Sequence, residues 1–206
     1  MGKWYLVRHG ETAWNREGRV QGHTDKTLGE AGLVQAERVA ARLATVSFAA
    51  AYCSDLKRTV ETAEAVLRGR GVPLRQMAEL READHGEWEG LTYREVQDRY
   101  PERFAQFMSM QGDISAPGGE SAADVLKRAC IARDRLIAAH PDDDLLVVAH
   151  SGSLRALVVA LLDLPLEASW RFRIEPCSVS IVSMHRRGAT LELWNDVTHL
   201  EPAHER

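Results

Sequence analysis

The chain has little of what several functional classes require. Its 206 residues include only three cysteines, Cys53, Cys130 and Cys177. They are widely spaced and form no C-x-x-C pair and no zinc-ligand pattern. They read as reduced, mostly buried thiols of a cytoplasmic protein, with Cys53 packing at a strand end rather than attacking a substrate. No apolar run approaches the length that spans a bilayer, so no membrane partner is expected. The start, Met1-Gly2-Lys3-Trp4, enters a strand pattern without the apolar stretch of a signal peptide. A dense Lys/Arg run is missing and the formal net charge is -4, which argues against a nucleic-acid partner. Repeats, low-complexity segments and linkers are also lacking. A single domain over residues 1–206 is therefore expected, long enough to bury a sizeable core.

What is present is an alternation of strands and helices. Strands are expected at 3–8, 49–53, 74–77 and 144–149, and β-rich segments at 178–184 and 190–194 flank an Arg-Gly turn. Helices are expected from Glu30 to Leu43, from the Ser54-Asp55 cap to Gly69, over Tyr93–Arg99 and Pro101–Met110, from Ser121 to about Ala139, and after His150. Residues 10–29 read as a polar loop. This order predicts an α/β protein, a three-layer α/β/α sandwich on a mostly parallel sheet. The loop-rich stretch 80–118 forms a partial cap.

Two strand ends carry the chemistry. Trp4 to Val7 runs into Arg8 and His9 and breaks at Gly10, and Leu145 to Ala149 delivers His150 to a helix start at Ser151-Gly152-Ser153. In open α/β sheets ligands bind beyond the carboxyl ends of strands, and a helix N-terminus there favours an anion. Arg58, one turn into a helix, has the planar fork that suits phosphate or carboxylate, though helix composition alone would make it a solvated charge. Glu82, before the compact loop Asp84-His85-Gly86-Glu87-Trp88-Glu89-Gly90, is a candidate general acid; a loop glutamate is otherwise a surface charge.

These residues sit in blocks that resemble one family. Arg8-His9-Gly10-Glu11-Thr12 with Asn15 is similar to the signature of the histidine phosphatase superfamily, the phosphoglycerate mutase-like proteins. Gln21-Gly22, Thr27 to Gly32, Ser54 to Thr59, Leu80-Arg81-Glu82, Gly86 to Gly90, Gly118-Gly119-Glu120-Ser121 and Val148 to Gly152 resemble its successive blocks, in order. The resemblance implies that His9 is the nucleophile and becomes a phosphohistidine. It also implies that Arg8, Arg58, His150 and Asn15 hold the phosphoryl oxygens, with Ser151 and Gly152 beside them, and that Glu82 is the acid and then the base. No metal and no cofactor are expected, and no separate carboxylate cluster offers to hold a metal.

The loop after Glu82 and the short span to Gly119 look like the phosphatase branch, with a cofactor-dependent mutase as the alternative and an inactive binding member as a remote one. The expected substrate is a small phosphomonoester: phosphoserine, α-ribazole phosphate or a broad set. Candidate leaving-group contacts are Gln21, Gly22, His23, Thr24, His85, Trp88 and Ser153, with Trp14, Phe104, Phe107, Met108 and His199 as further residues of this kind. A homodimer, with a patch near Pro165–Trp170, is expected on general frequency alone.

Overall fold

The computed structural model describes residues 2–109 and 113–201. Strand β1 (Lys3–Arg8) is followed by a short helix α1 (Ala13–Arg16) and then α2 (Glu30–Arg42). Next come β2 (Ala50–Cys53), α3 (Lys57–Leu67) and β3 (Leu74–Gln76). The cap contributes α4 (Tyr93–Arg99) and α5 (Pro101–Met108), and the chain returns through α6 (Ala122–Ala139), β4 (Leu145–Ala149) and α7 (Ser151–Leu161). β5 (Val179–His185) and β6 (Gly188–Asp196) close it as a hairpin. The expected helix over Pro101–Met110 ends at Met108, and Met110 lies outside the described residues.

The six strands form one sheet in the order β3-β2-β4-β1-β5-β6. The pairs β3–β2, β2–β4 and β4–β1 are parallel, and β5 and β6 add antiparallel neighbours at one side. β2 and β4 are buried along their whole length, which is why they read as unbroken apolar runs rather than alternating ones. Alternate residues of β1 serve opposite faces. Trp4 and Leu6 pack with Ala129 and Leu136 of α6 and Leu154 and Leu157 of α7. Val7 packs with Ala36 and Val39 of α2 and Ala63 and Val66 of α3. Two cores on the two faces of one sheet make the three-layer sandwich that the alternation of elements predicts.

A third, smaller core lies under the cap, where Trp88 is surrounded by Val20, Val96, Tyr100, Phe104 and Phe107. The Trp88 and Phe107 rings meet edge to face at 5.2 Å, and Phe107 meets Trp170 the same way at 5.7 Å. The cap is thereby tied to the helical turn Leu166–Arg171 on the far side of the cleft.

Candidate active site

The sheet register assembles the centre. β1 and β4 pair in parallel with Arg8 opposite Ala149, and β2 joins β4 with Cys53 opposite Val148. The next residue of each chain segment, His9, His150 and Ser54, therefore emerges at the same edge. The His9 and His150 rings lie 5.0 Å apart, edge to face. Sequence separations of over a hundred residues vanish because the strands are neighbours.

His9 is almost fully buried, and its Nδ1 lies 2.7 Å from the Gly10 carbonyl. A carbonyl only accepts, so Nδ1 carries the proton and Nε2 keeps its lone pair. Burial, with Arg58 and Arg8 adding to it, holds His9 well below the ordinary histidine range. Behind it the backbone N–H of Cys177 donates to the carbonyls of Arg8 at 2.9 Å and His9 at 3.3 Å. Cys177 does this from a left-handed conformation, φ +52°, and its own carbonyl accepts from His199 at 2.9 Å.

Arg58 is wholly buried, and burial brings its guanidinium down to about 10, still charged near neutrality. Nε donates to His150 Nδ1 at 3.1 Å, Nη1 to the Thr24 carbonyl at 3.1 Å and Nη2 to the Gly22 carbonyl at 2.8 Å. His150 is also wholly buried, with Nε2 at 2.8 Å from Ser54 Oγ. Burial, then Arg58 and His9, push it well below the ordinary range, so it is neutral. Arg8 is held by one bond, Nη1 to the Ile174 carbonyl at 2.7 Å.

Glu82 reaches across from the cap. Both of its carboxyl oxygens accept from the Gly152 N–H, at 2.9 and 3.1 Å, at the start of α7. A Cβ on residue 152 would stand 2.3 Å from Glu82 Oε1, so the approach requires glycine. The Glu82 backbone is pinned in turn. Its carbonyl accepts from His23 Nε2 at 2.9 Å and from Arg128 Nη2 at 3.1 Å. Arg128 also forks onto the Glu120 carboxylate at 2.7 and 2.8 Å and donates to the Glu79 and Arg81 carbonyls.

A cavity of about 460 Å³ lies over this centre. Of the residues singled out in the sequence, Arg8, His9, Asn15, Gln21, Glu82, His85, Ser151 and Gly152 line it. Asn15 completes the capping box of α1, whose N-cap is Thr12: its Oδ1 accepts from Thr12 N at 3.0 Å and Thr12 Oγ1 at 3.1 Å, so the amide is oriented by its oxygen end. Arg58 and His150 stand behind this layer rather than on the cavity wall.

Several expected substrate contacts are corrected. Gly22, His23, Thr24, Trp88 and Ser153 do not line the cavity. Ser153 is buried and its hydroxyl caps the His150 N–H at 3.1 Å. Residues 22–24 are scaffold: the Glu89 carboxylate accepts from the His23 and Thr24 backbone N–H groups, each at 2.7 Å, and from the Thr24 hydroxyl. Gly22 is there because a Cβ would meet Glu89 Oε1 at 2.1 Å. Trp88 is the buried centre of the cap core, and Phe104 packs on it. Trp14 stacks under the Lys26 ammonium, Met108 is half exposed, and His199 backs Cys177; of the aromatic candidates Phe107 alone lines the cavity.

Sequence reasoning missed Arg155, Arg173, Tyr93, Trp170 and Glu89. One signal was available for Arg155. It lies four residues after Ser151, and residues four apart share a helix face.

The orphaned polar atoms give the cavity its character. Among the described residues, buried side-chain polar atoms without a hydrogen-bond partner include Arg8 Nε, Gln21 Nε2 and Arg155 Nε, and all three residues line the cavity. Each is a donor. A buried cleft whose unsatisfied groups are donors fits an anion.

Comparison with known proteins agrees with this chemistry. The chain is 35% identical to the metal-independent phosphoserine phosphatase of Arabidopsis thaliana over 95% of its own length and 82% of the relative's. It is 31% identical to the adenosylcobalamin/alpha-ribazole phosphatase of Escherichia coli, over 93% and 94% respectively. Its fold superposes on Bacillus stearothermophilus YhfR with a TM-score of 0.90 at 36% identity, covering 98% of this chain and all of that one. The family described as the histidine phosphatase superfamily (branch 1) matches residues 4–197. Spanning nearly the whole chain, that match places the protein in the histidine phosphatase superfamily, and the chain is a histidine phosphatase.

Proposed function

We propose that the protein hydrolyses a small phosphomonoester without a metal, through a phosphohistidine at His9. The observation that carries this reading is the free Nε2 of a neutral, buried His9, set beside the unpartnered donors Arg8 Nε and Gln21 Nε2. In the first step Nε2 attacks phosphorus in line, the bond from phosphorus to the ester oxygen breaks, and Glu82 delivers a proton to the departing alkoxide. In the second, water attacks the phosphohistidine, Glu82 takes its proton, and inorganic phosphate leaves. Arg8 and Asn15 on the cavity wall would stabilise charge on the phosphoryl oxygens, worth about 3 kcal/mol for a well-aimed donor, with Arg58 and His150 supporting them from the layer behind. Three of the five N–H groups of Arg58 are engaged with protein acceptors, so its charge would act from behind the cavity wall.

The similarity to a phosphoserine phosphatase and an α-ribazole phosphatase supports a phosphorylated metabolite as substrate. A cavity of about 460 Å³ suits either a compact substrate or a moderately bulky one. A cytoplasmic location and a homodimer belong to the same reading. For the dimer, the half-exposed Leu164 and Trp170 offer an apolar patch, and light scattering would test it.

The test is kcat/KM across phosphoserine, 3-phosphoglycerate, fructose bisphosphates, α-ribazole phosphate and p-nitrophenyl phosphate, each with EDTA. Hydrolysis that survives EDTA and is lost in a folded His9→Ala variant is expected. Inhibition by EDTA, or wild-type turnover in His9→Ala, would overturn the mechanism. Isomerisation of 3-phosphoglycerate stimulated by a bisphosphorylated primer would favour the mutase instead.

A further inference from the structure

Arg128 on α6 commits its whole guanidinium to one neighbouring stretch of chain. Nε and Nη2 fork onto the Glu120 carboxylate at 2.7 and 2.8 Å. Nη1 donates to the carbonyls of Glu79 and Arg81, each at 2.9 Å, and Nη2 to the Glu82 carbonyl at 3.1 Å. All five N–H groups therefore have acceptors. Glu120 extends the grip: its Oε2 accepts from the Asp84 N–H at 2.9 Å, and its own N–H donates to the Asp84 carbonyl at 2.8 Å. Both side chains are largely buried. Arg128 does not line the cavity, so it acts on the site only through what it holds.

The held segment is irregular. After the short turn Ala78–Leu80, residues 81–85 belong to no helix or strand. Such a segment keeps its place through the groups that satisfy its backbone. The acid it presents is Glu82, whose carboxyl accepts from the Gly152 N–H at the start of α7. α6 and α7 pack in the same core, so one helical layer binds both the carboxyl of Glu82 and its backbone. His23 Nε2 donates to the same Glu82 carbonyl at 2.9 Å.

Resting on the phosphatase reading, we propose that Arg128 is a positioning residue for the general acid. Its guanidinium sets where the Glu82 carboxyl stands, and so governs delivery of the proton to the leaving alkoxide. A proton donor works only within hydrogen-bond reach of the oxygen it protonates, and a misplacement of about 1 Å costs up to about 100-fold. None of the bonds of Arg128 goes to Arg8, His9 or Asn15.

The leaving group separates positioning from mere stabilisation. An alkoxide needs the proton as its bond to phosphorus breaks, whereas p-nitrophenolate leaves without one. In Arg128→Gln, kcat/KM for phosphoserine and glycerol phosphate should fall about 10-fold or more, while that for p-nitrophenyl phosphate stays within about 3-fold of wild type. Glu82→Gln should show the same split, and adding Arg128→Gln to it should reduce the alkyl esters little further, because an absent acid cannot be misplaced. Equal losses for both leaving groups, or full additivity with Glu82→Gln, would overturn the proposal. If Arg128→Gln does not fold, His23→Phe carries the same test, since it removes a single bond to the same carbonyl. It should give the same split at smaller size, and no split would count against the clamp.

A measurement without turnover keeps the proposal apart from the phosphatase reading. The Gly152 amide resonance reports the Glu82 carboxylate that it binds. It should shift upfield in Arg128→Gln, toward its position in Glu82→Gln, and stay put in Lys127→Gln, an exposed neighbour on α6. An unmoved Gly152 resonance in folded Arg128→Gln would overturn the clamp. A moved resonance in a protein that hydrolyses no ester would retain the clamp while the phosphatase reading fell.

Discussion

Arg58 Nε donates to His150 Nδ1 across 3.1 Å, which fixes the imidazole as the tautomer with its proton on Nε2. The same guanidinium holds the carbonyls of Gly22 and Thr24, so one buried side chain sets a tautomer and a loop together. Arg58→Lys keeps a charge but presents a point donor in place of the fork. Turnover should fall about 100-fold or more. The orphaned carbonyls should cost about 1–3 kcal/mol each in urea unfolding. A variant with unchanged stability would show that these contacts do not form.

Both site histidines are neutral because burial, reinforced by Arg58, depresses them in the folded protein. His199 is depressed as well, again chiefly by burial. The unfolded chain therefore binds more protons than the native one below the ordinary histidine value of about 6.5. Stability should be fully present above that pH and be lost as pH falls below it, with a slope of up to about 1.4 kcal/mol per unit for each histidine. Urea midpoints between about pH 7 and 5 check this, since carboxylates titrate mainly below that window. His150→Gln should flatten the profile, and an already flat wild-type profile would contradict the buried neutral state.

Gly152→Ala places a methyl where Glu82 Oε1 now sits. The carboxyl is the mobile end of its side chain, so it should yield while the fold survives. We expect kcat to drop by about 10–100-fold through misplaced proton transfer, with the melting temperature within a few degrees of wild type. Loss of folding instead would mean that the Glu82 segment cannot shift.

Burial pushes the Cys53 and Cys177 thiols up to about 12, while Cys130 is partly exposed. Iodoacetamide at about pH 8 should label Cys130 alone in the native protein, with the other two appearing only on unfolding. Mass spectrometry of the alkylated peptides reads the result. Rapid native labelling at Cys177 would show that the backing of His9 opens readily.

Trp88→Ala should cost about 3–5 kcal/mol, because it empties the centre of the cap core. Trp88→Phe should preserve KM within a few-fold, since the indole packs beneath the cavity wall rather than on it. A KM change in a stably folded Trp88→Phe would restore it as a substrate contact.

The layer architecture was legible because β2 and β4 are continuous apolar runs and the helices between them carry clear caps. Arg8, His9, Glu82 and His150 were legible too, since strand ends, the helix start and ordered blocks mark them. What stayed hidden was the division of labour around them. Trp88 looks like a pocket aromatic in the chain, and only packing with Phe104 and Phe107 shows it to be core. His23 and Thr24 look like ligand contacts, yet their bonds run to Glu82 and Glu89, partners some sixty residues away. Short α1 reads as loop in the sequence because its four residues offer no helical period. Its signal was the Thr12–Asn15 capping box.

The position of β1 has a consequence for how the protein comes into being. The strand that ends in Arg8 and His9 precedes both of its neighbours, residues 145–149 and 179–183, by more than a hundred residues. During synthesis this strand therefore waits with two open edges until both neighbours have emerged. The strand that carries Arg8 and His9 into the site cannot be paired along both edges before β5 arrives.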